Sequence, residues 1–357
     1  MNKLKETKEE RHLALYRKYR PQEFKDVLGQ ENALKTLENS IKQNKISHAY
    51  IFSGDRGTGK TTVARIFAKE IGSSRDDIFE LDAASNNGVE DMRILIENTQ
   101  ASTFGSKYKI YILDEAHMLS KSSFNALLKT LEEPPANVIF ILATTDRHKI
   151  PATIISRCQE INFISPSIKI LEENILRISK KESRKIDNDS VNLIAKQGKG
   201  SFRDSLGILE KVFNTVDIDE INFKDTQRVL GLTSNEDTFE ILESISKSDK
   251  KSLIEKIEKF NLNTNDSIIS FYIQLVKMFE YALLIRFLKD EEAKKIFDGK
   301  LGEDLIVKLR DVSSANVKII SSTNLYKLLQ MEKEINSAGT QIKKSLLIIG
   351  LLVILES

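Results

Sequence analysis

The sequence predicts an α/β domain of the P-loop type, built on a parallel sheet and followed by helical parts. Three observations predict it. Gly54-Asp55-Arg56-Gly57-Thr58-Gly59-Lys60-Thr61 fits Gly-x4-Gly-Lys-Thr and lies between a strand-like His48–Ser53 and a helix-like Thr62–Glu70. Apolar strand-like stretches then alternate with helical periodicity as far as residue 145. From Ser165 onward the strand signals fade and helices dominate.

The elements follow in order. Residues 1–12 are mostly charged and read as a frayed end. Between Leu15 and Gln30, basic and aromatic side chains interleave, Tyr16, Arg17, Tyr19 and Arg20 among them. That pattern suits nucleic acid, or a segment folded back over a nucleotide base with Pro21 fixing a turn. The second reading is preferred because the segment leads directly into the P-loop. Glu31–Lys42 is an amphipathic helix with Ala33, Leu34, Leu37 and Ile41 apolar.

The P-loop carries the chemistry. Its glycines let the backbone curl so that N–H groups point at phosphate oxygens, and the following helix adds its positive dipole end. Lys60 is placed to reach the β- and γ-phosphates, and the Thr61 hydroxyl to ligate Mg²⁺. Val63, Ile66 and Phe67 form the inner face of the helix that follows.

Ile78–Asp82 reads as a strand, Ala83–Gly88 as a polar loop and Val89–Gln100 as a helix. The apolar stretch from Lys109 ends in Asp114-Glu115, the Walker-B arrangement. Asp114 is expected to hold Mg²⁺ and Glu115 to polarise the attacking water. His117 beside them is read as a packing or hydrogen-bonding residue. A helix over 122–132 is stopped by Pro134-Pro135. Val138–Thr145 is apolar without alternation, as a buried parallel strand should be, and ends in two hydroxyls placed to sense a phosphate or orient a water. Arg157, within Ser156-Arg157-Cys158, is either a surface ion pair or an arginine finger. Residue type alone does not decide between these.

Helices are then predicted over 168–182, 189–196 and 201–214. Arg203 falls in the first turn of the last of these, where the helix dipole disfavours a cation unless it faces an anion. A boundary near Gly231 opens a wholly helical region. Its clearest helix runs over 267–289, with Ile269, Tyr272, Ile273, Val276, Phe279, Leu283 and Ile285 apolar. The stretch 346–355 is apolar on all sides, which predicts a buried helix with surface left for oligomer contacts.

Composition narrows the class. The 357 residues are 40% hydrophobic and 30% charged, as in an ordinary soluble protein, and long enough for two or three domains. A net charge of +2 is small for a protein that grips DNA through many phosphates, so any such contact is local or shared. The single cysteine, Cys158, rules out an intrachain disulfide framework or a cysteine-rich zinc site. The N-terminus lacks an apolar signal core, and 346–355 is too short to span a bilayer, so a cytoplasmic protein is expected.

Taken together, these residues resemble the bacterial DNA polymerase III clamp-loader gamma/tau family, which are AAA+ ATPases. The resemblance is near-continuous over 14–210. It rests on Tyr16 through Gln30, His48 through Thr62, Asp82 through Arg93 and Lys109 through Pro135. Ala143–Asp146, Ser156-Arg157-Cys158 and Gly200–Asp204 extend it. Over 235–357 it is one of architecture and length. It implies an AAA+ domain over 1–165, a helical lid over 166–232 and an all-α oligomerisation collar over 233–357.

The resemblance also implies roles. Arg157 would be a finger acting on the ATP of a neighbouring subunit, and Arg203 a sensor on the γ-phosphate in its own. Thr145 falls at the other sensor position, with Thr144 adjacent. Tyr16 and Arg20, together with the P-loop and Thr62, would line the nucleotide. The implied partners are further copies of the chain, the clamp-loader delta and delta-prime subunits, the beta sliding clamp and primer–template DNA. The implied activity is ATP-driven opening and loading of that clamp at the replication fork.

Two departures matter. Lys69 and Ile78 are joined by a few residues where the family often inserts a four-cysteine module, so zinc is not expected. The chain also stops soon after the collar, leaving out the tail by which tau forms bind helicase and polymerase. The rivals are a replication factor C small subunit, a non-hydrolysing subunit such as delta-prime, and a DNA-junction motor. Asp82–Gly88 with Leu127–Pro135 argue against the first, and Lys60 with Thr61 against the second.

Overall fold

Five β-rich stretches pair side by side in one parallel sheet. They are β1 (Ala49–Ser53), β2 (Ile78–Asp82), β3 (Lys109–Asp114), β4 (Val138–Thr144) and β5 (Gln159–Asn162). The spatial order is β2-β3-β4-β1-β5. In this computed structural model the described residues are 13–216, 220–260, 262, 264–298 and 301–356, so the reading of 1–12 as frayed lies outside them. The register sets Ser53 beside Thr144 and Asn162, and Asp82 beside Asp114. The carboxyl ends of the strands are therefore level, and polar side chains collect along one edge of the sheet. In open α/β sheets that edge is where ligands bind.

Burial on both faces explains why the central strands read as continuous apolar runs. One face packs Tyr50, Phe52, Ile110, Ile112 and Ile141 against Leu37 of α2 (Glu31–Lys42) and Val63, Ile66 and Phe67 of α3 (Lys60–Glu70). The other packs Ile51, Leu113, Phe140 and Leu142 against Met92 and Leu95 of α4 (Val89–Thr99) and Phe124 and Leu127 of α5 (Lys121–Glu132). The side chain of Ser120 caps α5 by accepting from Ser123 N, and Pro134-Pro135 follow its end. Before the sheet, α1 is a single turn, Leu15–Lys18, and after β4 a short α6 covers Ala152–Ile155.

Three helices complete this unit: α7 (Ile168–Lys181), α8 (Asn188–Gln197) and α9 (Phe202–Thr215). Ser167, Asp187 and Ser201 cap their N-termini through side-chain oxygens. Two short strands, β6 (Lys185–Ile186) and β7 (Glu220–Ile221), pair in parallel beside them, although no strand is predicted there.

The contacts divide the chain into two compact units, one ending at Asn222 and the other beginning at Phe223. Every described element of the second unit is helical: α10 (Phe223–Leu230), α11 (Asn235–Ser246), α12 (Lys250–Lys259), α13 (Asn265–Ile285), α14 (Asp290–Phe297), α15 (Glu303–Ala315), α16 (Ser322–Ser337) and α17 (Thr340–Leu355). The stretch Ser267–Ile285 is long and apolar enough to cross a membrane by length and composition. Here it is the central helix of a core, with Ile268, Phe271, Leu275, Met278, Phe279 and Ala282 buried. Of the predicted apolar set Tyr272, Phe279 and Ile285 are buried, Ile269, Val276 and Leu283 pack against the core, and Ile273 is exposed.

One expectation is corrected. The stretch 346–355 is not buried on all sides. Leu347, Leu351 and Ile354 of α17 are buried, whereas Ile349 and Val353 are 57% and 50% exposed. A single chain supplies packing partners for one face of the helix only.

Candidate nucleotide-binding site

The loop after β1 and the start of α3 form the floor of a cleft of about 920 Å³. Gly59 caps α3 in the left-handed region, at φ 105°. Gly57 lies so close to α9 that a Cβ would meet Ser201 Oγ at 2.0 Å, and its carbonyl accepts from Phe202 N at 3.0 Å. Only glycine permits that approach. Gln30, nearly fully buried, braces the loop from behind. Its amide donates to Thr58 O and Ile164 O and accepts from Ile164 N.

Lys60 is buried, and its ammonium donates to the carbonyls of Gly54 and Asp55, each at 2.8 Å. Burial holds its pKa below the ordinary lysine value, against the pull of Glu115, Asp114 and Asp55. Thr61 Oγ1 donates to Asp114 Oδ2 at 2.8 Å, which sets together the two oxygens expected at a divalent cation. Glu115 adopts φ 49°, ψ 41°, unusual for a residue with a Cβ. Such strain persists where the surroundings over-determine it. Its Oε2 accepts from Thr145 Oγ1 at 3.1 Å and lies 3.5 Å from His117 Nδ1. Thr144 is fully buried, and its hydroxyl lies 3.2 Å from the same ring nitrogen. His117 therefore joins the Walker-B glutamate to the end of β4, a link its sequence position alone does not reveal.

The opposite wall comes from the N-terminal segment, α7 and α9. Arg203 lies over the Tyr16 ring, 4.9 Å from its centroid. Arg17 and Arg203 together hold the Tyr16 phenol below its usual pKa. Arg20 lines the same wall, and burial lowers its pKa. Arg56, Gly57, Thr58, Gly59, Thr61 and Thr62 line the cleft as well, while Gly54 and Asp55 meet it through the Lys60 bonds. Among the described residues Arg20, Arg56 and Arg203 have no carboxylate within ion-pair distance, whereas Arg65 is paired with Glu80. A cleft that gathers uncompensated guanidinium groups, a buried ammonium and a helix N-terminus fits a polyphosphate. The Thr61 hydroxyl beside the Asp114 carboxylate fits a hard cation such as Mg²⁺.

Arg157 is elsewhere. It lies outside the lining of the cleft and is bound to Glu132 Oε1 at 2.5 Å and Thr153 O at 2.6 Å. Asn174 and Arg177 of α7 do line it, though no motif announces them. The only sequence signal is their spacing from Ile170, which puts all three on one helix face.

Fold and site define a P-loop nucleotide-binding protein of the AAA+ class. Comparison narrows this further. Residues 29–88 and 74–167 match the family described as DNA polymerase III, delta subunit. The DNA polymerase III subunit gamma/tau of Mycoplasma genitalium is 39% identical over 297 residues, covering 76% of this chain and 50% of that relative. The subunit gamma of Buchnera aphidicola subsp. Schizaphis graminum is 36% identical over 316 residues, covering 80% of this chain and 87% of that relative. The chain belongs to the DNA polymerase III gamma/tau family. It spans half the length of the Mycoplasma relative. Among solved structures, the RuvB Holliday junction branch migration motor of Thermotoga maritima superposes with a TM-score of 0.51. At 24% identity, over 64% of this chain and 79% of that one, this likeness concerns the fold alone.

Proposed function

We propose that the chain is an ATP-hydrolysing motor subunit of a sliding-clamp loader acting in the bacterial cytoplasm at the replication fork. Its parts would be a nucleotide-binding domain over 1–165, a lid over 166–232 and an oligomerisation collar over 233–357. The observation that carries the reading is a division of the expected site residues. Lys60, Thr61, Asp114, Glu115 and Arg203 surround one cleft, while Arg157 points away from it. A site missing its arginine finger is completed by a neighbouring copy.

In that reading Lys60 turns from the Gly54 and Asp55 carbonyls to the β- and γ-phosphates, and Arg203 leaves the Tyr16 ring for the γ-phosphate. Mg²⁺, when bound, neutralises charge developing on the phosphate oxygens. Thr61 and Asp114 would hold it. Glu115, steadied by Thr145, takes the proton of the attacking water. Arg157 of the next copy supplies a finger worth on the order of 10³–10⁵ in rate. Binding stiffens the ring so that it holds an open clamp, and hydrolysis releases the clamp closed on primed DNA.

The test is steady-state ATPase as clamp, delta, delta-prime and primer–template DNA are added stepwise, with Arg157→Ala alongside. Strong stimulation by the full set, lost in the variant, is the expected result. Fast hydrolysis by the isolated chain, indifferent to partners, would overturn both the trans finger and the clamp-loader assignment.

A further inference from the structure

Away from the P-loop, part of the cleft is a slot lined by α7 and residues 20–28. Ile170 packs against Gly29 so tightly that a Cβ there would stand 2.8 Å from its Cδ1. Near the other end of α7, Glu182 accepts from Tyr19 Oη at 2.6 Å and from Lys18 Nζ at 2.9 Å. The helix thus runs antiparallel to the N-terminal segment, and the face bearing Ile170, Asn174 and Arg177 looks onto it. Pro21, Val27 and Leu28 line the slot from one side, Leu206 from the lid. Apolar walls with a few fixed polar groups are the usual make-up of a small-ligand site.

Arg20, Gln22 and Asp26 also line this part of the cleft, and α7 contributes one polar pair. Asn174 is 4% exposed, and its Oδ1 accepts from Arg177 Nη2 at 2.8 Å. The Arg177 Nε is buried without a hydrogen-bond partner, and among the described residues Arg177 has no carboxylate within ion-pair distance. The guanidinium therefore serves Asn174 rather than an acid. A donor-only group on Oδ1 fixes which way the amide faces. Asn174 Nδ2 then has no partner among the described residues, and Oδ1 keeps a second lone pair.

We infer that Asn174, with its amide locked by Arg177, reads the base of the bound nucleotide and selects adenine over guanine. This deepens the nucleotide-site reading and rests on it. An amide offers a donor beside an acceptor, matching the adjacent ring nitrogen and 6-amino group of adenine. Guanine presents an oxygen at the 6-position, which meets the Asn174 acceptor with another acceptor. Arg177 is a positioning residue in this scheme.

Calorimetric titration of the full chain with ATP, GTP and inorganic tripolyphosphate, each with Mg²⁺, tests the inference. The wild type binds ATP tighter than GTP by about tenfold or more, the discrimination of one good bidentate pair. Asn174→Leu loses that preference through weaker ATP binding, and Arg177→Leu loses part of it. Tripolyphosphate binding is unchanged in both variants, which also reports that the phosphate end is folded. Retention of the preference in Asn174→Leu, or equal weakening of all three ligands, overturns the base-reading role. Failure of the wild type to bind either ATP or tripolyphosphate overturns the nucleotide site itself and this inference with it.

Discussion

Thr145 Oγ1 donates to Glu115 Oε2 across 3.1 Å, joining the residue just past β4 to the Walker-B glutamate just past β3. Each residue stands one position past the end of its strand, so the paired strands bring the two loops together and the loop conformations, Glu115 at φ 49° among them, close the bond. A carboxylate held this way is aimed as well as charged. Glu115→Gln should keep nucleotide affinity while lowering turnover of the assembled complex by about 10²–10⁴-fold, the usual worth of a general base. Thr145→Val should lower kcat by a smaller factor and leave KM nearly unchanged. Pre-steady-state ATPase assays with a binding titration separate the two effects. A Glu115→Gln variant that turns over normally would remove Glu115 from the chemistry.

Lys60 gives a prediction about stability. Its ammonium is buried on two carbonyls, so in the free chain it stabilises the loop that is to receive phosphate. A ligand that binds only the folded chain stabilises it by about 2.7 kcal/mol at one hundred times its Kd. Thermal unfolding with Mg²⁺ and ATP should show that gain for the wild type and none for Lys60→Ala. An equal gain in the variant would place nucleotide affinity elsewhere.

Much of this was legible because the central strands and the P-loop are locally consistent. β1, the phosphate loop and α3 announce themselves through apolar continuity, glycine spacing and a helical stripe. β5 did not, because Gln159-Glu160-Ile161-Asn162 is an edge strand with one buried apolar residue, Ile161. The β6–β7 pair is too short to carry a period. The α17 stretch misled in the other direction, since an apolar run shows which residues avoid water but not how many faces find a partner. The Asn174–Arg177 pair was hidden as two polar residues on an amphipathic helix, where only the tertiary neighbour reveals their task. Arg157 needed the structure to separate it from its own cleft.

Asp77 predicts a pH dependence. It is fully buried before β2 and accepts from Phe104 N at 2.8 Å and Ser106 N at 3.3 Å, pinning the turn after α4. Burial alone would raise its pKa, but these hydrogen bonds outweigh burial and hold the pKa below the usual aspartate value. A depressed folded-state pKa means the contribution is complete above the unfolded value of about 3.9 and lost as pH falls through the folded one. Asp77→Asn should cost about 1–3 kcal/mol at neutral pH, the penalty for leaving buried donors unsatisfied. The difference from wild type should shrink below pH of about 4, as followed by urea unfolding across an acid series. A constant difference at all pH values would mean that the carboxylate charge plays no part.

The one-sided burial of α17 bears on assembly. Ile342, Ile349 and Val353 recur at helical spacing and are 59%, 57% and 50% exposed, so they form a stripe on the outer side of the helix. An apolar stripe on a soluble chain marks a contact surface. The collar reading assigns that contact to further copies of the chain. Ile349→Asp combined with Val353→Asp should shift the chain toward monomer in sedimentation velocity. Because both side chains are exposed, each substitution should change stability by within about 0.5 kcal/mol. If Arg157 of one copy serves the cleft of the next, as proposed, ATPase stimulation should fall with the oligomer. Should the double variant assemble as readily as wild type, the stripe would not be the subunit contact, and the collar would have to close through another face of the second unit.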